Sequence, residues 1–413
     1  MLFRFGHATH PDWRAAVELV LLQLDGQRRL DAFAADRTRP LSIGLLYLTE
    51  SLAPHAEAIL SLLRLRTQTE HWVGGVAESI CASSAEYYRE PALAVMLLQL
   101  PADSARVFSG RQPLPKPGTV NRAGRLAMAS ALVHVDPSMD DIPDLIDDLR
   151  SKVTSGQVAG GVVSAHAACT HIADEALDTG LSGLLLADNV ATVIAATQAC
   201  QAVGPVHTVT AAKAQFIETI DGRPALQVLL NDMGVPTGDE AELDAVQANL
   251  LADKFSQGLF IGLLDDDTPP GGNDAPLAIR PVVGIDPEHG GVAVGDRLPP
   301  GRRFVFCVCD EAAARADLDR MCAQLREHLE ARKPALSSLQ PPGFMGLAAR
   351  KQPRGALYIA CRNRGAKLFG QQGQELQIIR EQLGDLPLIG FFANGEIYQS
   401  RLYRNSGVLV LFF

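Results

Sequence analysis

The strongest constraint on this chain is a pattern that recurs along it: an apolar strand, a helix with one apolar stripe, a strand with glycines inside it, then another apolar strand. The first copy reads as a strand at 42–48, a helix near 54–66, and strands at 71–79 and 92–100. The second reads as 130–136, a helix near 142–153, then 157–166 and 181–187. A third begins at 303–309, with a helix at 312–329 and strands at 343–349 and 356–361. That last strand also opens a fourth copy, with a helix at 375–383 and strands at 387–397 and 407–413. The helices rest on spacing. Ile142, Leu145, Ile146, Leu149 and Val153 fall at i, i+3, i+4, i+7 and i+11, as do Leu318, Met321, Cys322, Leu325 and Leu329. Trp13, Ala16, Val17, Val20 and Leu24 repeat the spacing near the start.

This order of elements predicts an α/β fold of two domains, with mixed sheets and helices packed on their faces. A two-strand element at 203–222 leads into a short helix ending near Met233. The boundary is placed beside it, giving domains 1–225 and 226–413 with two copies each. Glycine weakens a strand interior unless a bulge or a close approach needs it. Gly74-Gly75 and Gly160-Gly161 occupy equivalent places, with Gly343, Gly346 and Gly390 as candidate counterparts. Two readings fit: strands that pass closely, or backbone laid open to a ligand. Recurrence favours architecture, because one ligand does not need four copies.

Composition narrows the function. With 47% hydrophobic and 20% charged residues, the chain has the balance of a folded protein. A net charge of −10 argues against a partner held through phosphates, so nucleic acid is not expected. No apolar run reaches the roughly 18–20 residues of a membrane span, and no signal-peptide pattern opens the chain, so a cytoplasmic protein is expected. The cysteines Cys81, Cys169, Cys200, Cys307, Cys309, Cys322 and Cys361 are odd in number and form no C-x-x-C pair. Reduced, mostly buried thiols are expected, with Cys307 and Cys309 in the core.

No P-loop, G-x-G-x-x-G, H-E-x-x-H or G-x-S-x-G motif is present, and no catalytic constellation emerges, so an enzyme is not expected. His166, Cys169 and His171 form the best soft-ligand cluster, but nothing completes a metal site. Two strand ends carry more chemistry. Cys361-Arg362-Asn363-Arg364-Gly365 follows an apolar strand, and Phe392 and Asn394-Gly395-Glu396 close another. In α/β sheets such ends hold ligands. An arginine fork grips a carboxylate, and Glu396 could accept from an amino group, so the set suits a zwitterion. An internal arginine–glutamate bridge is the plainer alternative. Cys361 beside basic residues is also a conceivable nucleophile.

These blocks resemble the FIST family. The resemblance rests on Gly74-Gly75, Gly160-Gly161, Val209-Thr210, the run from Ile220 to Leu226, the run from Val283 to Pro287, Val294-Gly295-Asp296, Gly355-Ala356-Leu357, Cys361 with Arg364-Gly365, and Gly390-Phe391-Phe392 with Gly395-Glu396-Ile397. Family members often carry Cys-Asn-Gly-Arg-Gly where this chain has 361–365, and Gly and Pro where Tyr398-Gln399 stand. The resemblance implies a FIST N half and a FIST C half, as in bacterial sensors and some F-box proteins. It implies a sensory role with a small-molecule ligand, an amino acid foremost, bound by Arg362, Asn363, Arg364, Phe392, Asn394 and Glu396 with backbone at Gly74, Gly75, Gly160 and Gly161. It also implies signalling through a partner such as a kinase or a cyclic-dinucleotide enzyme. No cofactor is expected; the alternative the family offers is a haem that senses nitric oxide, with His166, His171 or His207 as ligand.

Overall fold

A computed structural model describes residues 2–31, 41–111, 114, 128–165, 171–235, 258–264, 278–331 and 352–413. The chain starts with β1 (Leu2–Thr9), α1 (Trp13–Asp31), β2 (Leu41–Thr49), a 3-10 turn (Glu50–His55) and α2 (Ala56–Thr67). It continues through β3 (His71–Ala77), β4 (Ser79–Ala82), β5 (Ala85–Tyr88), β6 (Ala92–Leu100) and β7 (Ala105–Ser109). Then come β8 (Met128–Val135), α3 (Ile142–Ser151), β9 (Gln157–Val163), β10 (His171–Ala173), β11 (Ala176–Leu177), β12 (Leu181–Ala187) and β13 (Thr192–Gln198). The middle holds β14 (Cys200–Lys213), β15 (Phe216–Ile220), β16 (Arg223–Pro224), α4 (Ala225–Asp232), β17 (Leu259–Leu263), β18 (Ala278–Asp286), β19 (Gly291–Val294) and β20 (Arg303–Cys309). The last stretch is α5 (Glu311–Ala331), β21 (Gly355–Cys361), α6 (Ala366–Phe369), α7 (Gln374–Leu383), β22 (Leu388–Tyr398), β23 (Arg401–Tyr403) and β24 (Ser406–Phe412).

The fold is α/β, with mixed sheets and packed helices, in two compact units. One unit takes residues 1–197, 318–402 and 406–413; the other takes 198–317 and 403–405. The first unit holds three copies of the repeat. In each, a helical crossover joins two parallel strands: β2 with β3, β8 with β9, β21 with β22. In each, a further strand lies antiparallel to the first of the pair: β6, β12 and β24. The strand at 303–309, read from the sequence as the start of another copy, lies instead between β14 and β17 in the second unit. A short apolar run fixes a strand but not its neighbours. The companion stretch 343–349 falls outside the described residues.

The three copies are tied in a ring. After its glycine-bearing strand, each copy passes chain to another. β4 pairs with β22, the far half of β22 pairs with β9, and β10 pairs with β3. Side chains alternate across a strand, so one face of every copy contributes to a common core: Leu45 and Tyr47, Leu132, Leu357 and Ile359. The other face of the first copy packs under α1 and α2 through Leu46 and Leu48. That of the second packs under α3 through Val133 and Val135.

The parallel pairing within each copy explains the glycines. Leu46 pairs with Gly74, Val133 with Gly160 and Tyr358 with Gly390, at one register position in the three copies. A Cβ on Gly74 would lie 1.9 Å from the Leu46 carbonyl oxygen, one on Gly160 1.9 Å from that of Val133, and one on Gly390 1.7 Å from that of Tyr358. Such approaches admit only glycine.

In the second unit the sheet runs β14-β20-β17-β18-β19-β15-β16, and β14 also pairs with β15, so it closes on itself. Leu226, Val228, Leu229 and Leu230 of α4 join the core of this closed sheet. The expectation that every thiol is reduced is corrected here. Cys200 and Cys309 are direct cross-strand partners on β14 and β20, with Cα atoms 4.1 Å apart, and they form a disulfide. Cys81, Cys307, Cys322 and Cys361 are buried and take no part in this disulfide.

Candidate functional site

A cleft of ≈ 430 Å³ opens in the first unit where the first copy meets the third. Its walls include Glu78, Tyr88 and Arg89 from the first copy and Arg362, Lys367 and Phe392 from the third. The ring of strand pairing sets this meeting. Glu78 lies between β3 and β4; its N–H donates to Ser164 Oγ (3.0 Å), which donates to the Phe392 carbonyl (2.7 Å). Arg362 follows β21, and its N–H donates to the Ala393 carbonyl (2.8 Å).

Glu78 organises the mouth. Its Oε2 is 3.0 Å from Arg362 Nη2, and its Oε1 is 3.3 Å from Arg89 Nη2. Phe392 and Tyr88 make the apolar wall, with ring centroids 5.4 Å apart. Gly365 lets the 361–365 loop close on them: its φ is 59°, and a Cβ there would sit 2.3 Å from the Tyr88 hydroxyl. That hydroxyl turns inward. It donates to Glu86 Oε2 (2.7 Å) and accepts from the Ala366 N–H (3.0 Å). Burial raises the pKa values of both Glu86 and Tyr88.

A buried charged cluster supports the loop. Arg364 is 0% exposed, and its Nε donates to Glu375 Oε1 (2.7 Å). The Tyr358 hydroxyl donates to the same oxygen (2.5 Å), and the Gly365 N–H donates to Oε2 (3.1 Å). Burial opposes the charge on Arg364, but the adjacent Glu375 outweighs it and raises the Arg364 pKa. Glu396 is also 0% exposed, and burial pushes its pKa up to about 8. Its Oε2 accepts from the Ser406 N–H (3.2 Å) and Oγ (2.7 Å). Glu396 Oε1 and Arg364 Nη1 have no hydrogen-bond partner among the described residues. The Cys361 thiol donates to the Glu396 carboxyl.

The residues singled out from sequence thus separate. Arg362 and Phe392 line the cleft, Asn363 and Asn394 are exposed, and Arg364 and Glu396 are buried. Gly74, Gly75, Gly160 and Gly161 lie inside paired strands. Sequence reasoning did not select Glu78, Tyr88, Arg89, Lys367 or Glu375. The run Glu86-Tyr87-Tyr88-Arg89-Glu90, polar and aromatic between two apolar strands, was the available signal.

The histidines named as haem candidates have different surroundings. His207, 2% exposed, has Nδ1 2.6 Å from Asp221 Oδ2 and Nε2 2.7 Å from Asp232 Oδ2. His171 sits on β10 opposite Gly75, its ring nitrogens unpartnered among the described residues, and burial lowers its pKa to about 4. His166 and Cys169 fall outside the described residues. Among the described residues no group of three or more His, Cys, Asp or Glu is placed to hold a metal ion, and no helix is long and apolar enough to cross a membrane.

Comparison with known proteins agrees with the sequence blocks. The FIST N domain family matches residues 42–223, and the FIST C domain family matches 225–399. The chain is 30% identical over 372 residues to the uncharacterized protein Rv0628c of Mycobacterium tuberculosis, covering 86% of each. It is also 30% identical over 400 residues to the uncharacterized protein Mb0898c of Mycobacterium bovis, covering 95% of this chain and 92% of that protein.

Proposed function

Since the chain belongs to the FIST family, whose domains are sensory modules of signal transduction, we propose that it is a cytoplasmic sensor that binds a small polar ligand in the cleft between its first and third copies. The observation that carries this reading is the arrangement of Arg362 and Arg89 on Glu78 beside the Phe392–Tyr88 wall. Charged groups held at the rim of an apolar concavity orient a small ligand and exclude water from it. The family resemblance makes amino acids the first ligands to try. The signal would leave through a separate partner, such as a kinase or a cyclic-dinucleotide enzyme.

Two other roles have less support. A haem on His207 would require the ring to give up a carboxylate at 2.6 or 2.7 Å. A Cys361 nucleophile would have to act from a side chain only 5% exposed whose thiol is engaged with Glu396. The test is a thermal-shift and calorimetric screen of amino acids and small organic acids on the full chain. At least one compound should raise the melting temperature, and Arg362→Ala should abolish the shift. A screen with no hit, in which wild type and Arg362→Ala behave alike, removes the cleft from consideration.

A further inference from the structure

Charge and hydrogen bonding in the cleft specify the ligand further; the step rests on the cleft being the binding site. Three cationic side chains, Arg89, Arg362 and Lys367, face it against one carboxylate, Glu78. Each oxygen of Glu78 already meets a guanidinium, at 3.0 and 3.3 Å. Lys367 makes no ion pair among the described residues and is exposed. A ligand ammonium would therefore meet a surplus of positive charge, and in a partly desolvated cleft that repulsion is stronger than in water. The Tyr88 hydroxyl is committed inward to Glu86 and Ala366. Neutral groups such as the Ser79 hydroxyl supply no compensating charge. An anionic head, by contrast, finds donors from a planar guanidinium and a mobile ammonium. The Phe392 and Tyr88 rings offer only an apolar face to the rest of the ligand.

We propose that the cleft takes a small organic anion, a carboxylate or phosphate on an apolar body, and selects against a charged amine. The head lies among Arg362, Lys367 and Arg89, and the body lies on the Phe392–Tyr88 wall. Glu78 is a positioning residue: it spaces the two guanidinium groups and is not an ammonium receptor. This departs from the zwitterion that the sequence suggested.

The experiment is isothermal titration of the full chain with four matched probes: 3-phenylpropanoate, phenylalanine, phenethylamine and phenyl phosphate. The first two differ only by the α-amino group. The expected result is that 3-phenylpropanoate binds at least tenfold more tightly than phenylalanine and that phenethylamine gives no heat of binding. Competition between phenyl phosphate and 3-phenylpropanoate then shows which head group the cations prefer. Arg362→Ala should weaken the acid at least tenfold with an unchanged circular dichroism spectrum. Glu78→Gln, which keeps the shape but loosens the hold on the two guanidinium groups, should weaken the acid less than Arg362→Ala does and should not improve phenylalanine relative to it. Tighter binding of phenylalanine than of 3-phenylpropanoate, lost in Glu78→Gln, overturns the anion assignment while leaving the cleft as the site. Failure of every probe, with no difference between wild type and Arg362→Ala, overturns the cleft itself.

Discussion

Replacing Glu375 by alanine tests whether the buried ion pair holds the loop that carries Arg362. Glu375 is 1% exposed and Arg364 is 0% exposed, so removing the carboxylate strands a guanidinium where water cannot reach it. Three donors lose their acceptor at once: Arg364 Nε, the Tyr358 hydroxyl and the Gly365 N–H. Breaking one side of a buried pair costs about 3–5 kcal/mol, whereas an exposed pair is worth no more than about 1 kcal/mol. The expected loss for Glu375→Ala is therefore about 3–5 kcal/mol. Removing both charges together, in Arg364→Met/Glu375→Leu, should recover most of it, because apolar replacement of a whole pair is often neutral. Urea titration followed by tryptophan fluorescence reads the correct unit, since both tryptophans, Trp13 and Trp72, belong to the first unit. A Glu375→Ala cost below about 1 kcal/mol, or a double variant as damaged as the two single variants combined, would refute the reasoning.

Other consequences follow from the same structure. Gly160→Ala places a methyl 1.9 Å from the Val133 carbonyl and should cost about 3 kcal/mol or more in the same titration, whereas Gly370→Ala, with positive φ but nothing within 4 Å, should cost only about 1–2 kcal/mol. Glu396 has its folded pKa raised from 4.5 to about 8, so folding binds a proton in that window and stability falls as pH rises through it, by at most about 1.4 kcal/mol per unit. Glu396→Gln should flatten that slope and be the more stable protein near pH 8; an unchanged slope means Glu396 is not its source. His207→Gln breaks the Asp221–His207–Asp232 chain and should weaken the second unit by about 1.5–3 kcal/mol, read as faster amide exchange in β14, β15 and α4 with the tryptophan transition unmoved.

Much of the first unit was legible because its signals are local. The stripe Ile142, Leu145, Ile146, Leu149 names α3, and the paired glycines mark where parallel strands crowd each other. Partner choice was not legible. An apolar strand such as 303–309 looks the same whether its neighbours are parallel or antiparallel, and only the tertiary register brings Cys309 opposite Cys200. The site was half legible for the same reason. Arg362 directly follows β21, so strand-end reasoning reaches it, whereas Phe392 lies inside β22 and was reached only through the block that closes that strand. Glu78, Tyr88 and Arg89 come from about 280 residues earlier in the chain, and only the β4–β22 pairing brings them close. Arg364 was read as a ligand group because sequence shows its charge but not its partner, Glu375, one helix further on.

The ring of copies also shows where polar groups depart from the repeat. The residue that follows the crossing glycine in each copy pairs across to an equivalent position: Phe391 to Ile80, Gly75 to His171, Gly161 to Glu396. All three of those positions are 0% exposed. The ring demands only burial there, and isoleucine meets that demand at no electrostatic cost. Histidine and glutamate do not: burial drives the His171 pKa down and the Glu396 pKa up, and each retains an unpartnered polar atom among the described residues. A fold that can be closed with isoleucine does not require such groups, since unpaired buried polar atoms cost stability. His171 stands in the second copy and Glu396 in the third, and the Arg364–Glu375 pair lies beside Glu396 in the copy that also supplies Arg362, Lys367 and Phe392 to the cleft. Local departures from an otherwise consistent architecture mark function more often than stability, and two of the three here, Glu396 and the Arg364–Glu375 pair, stand in the third copy.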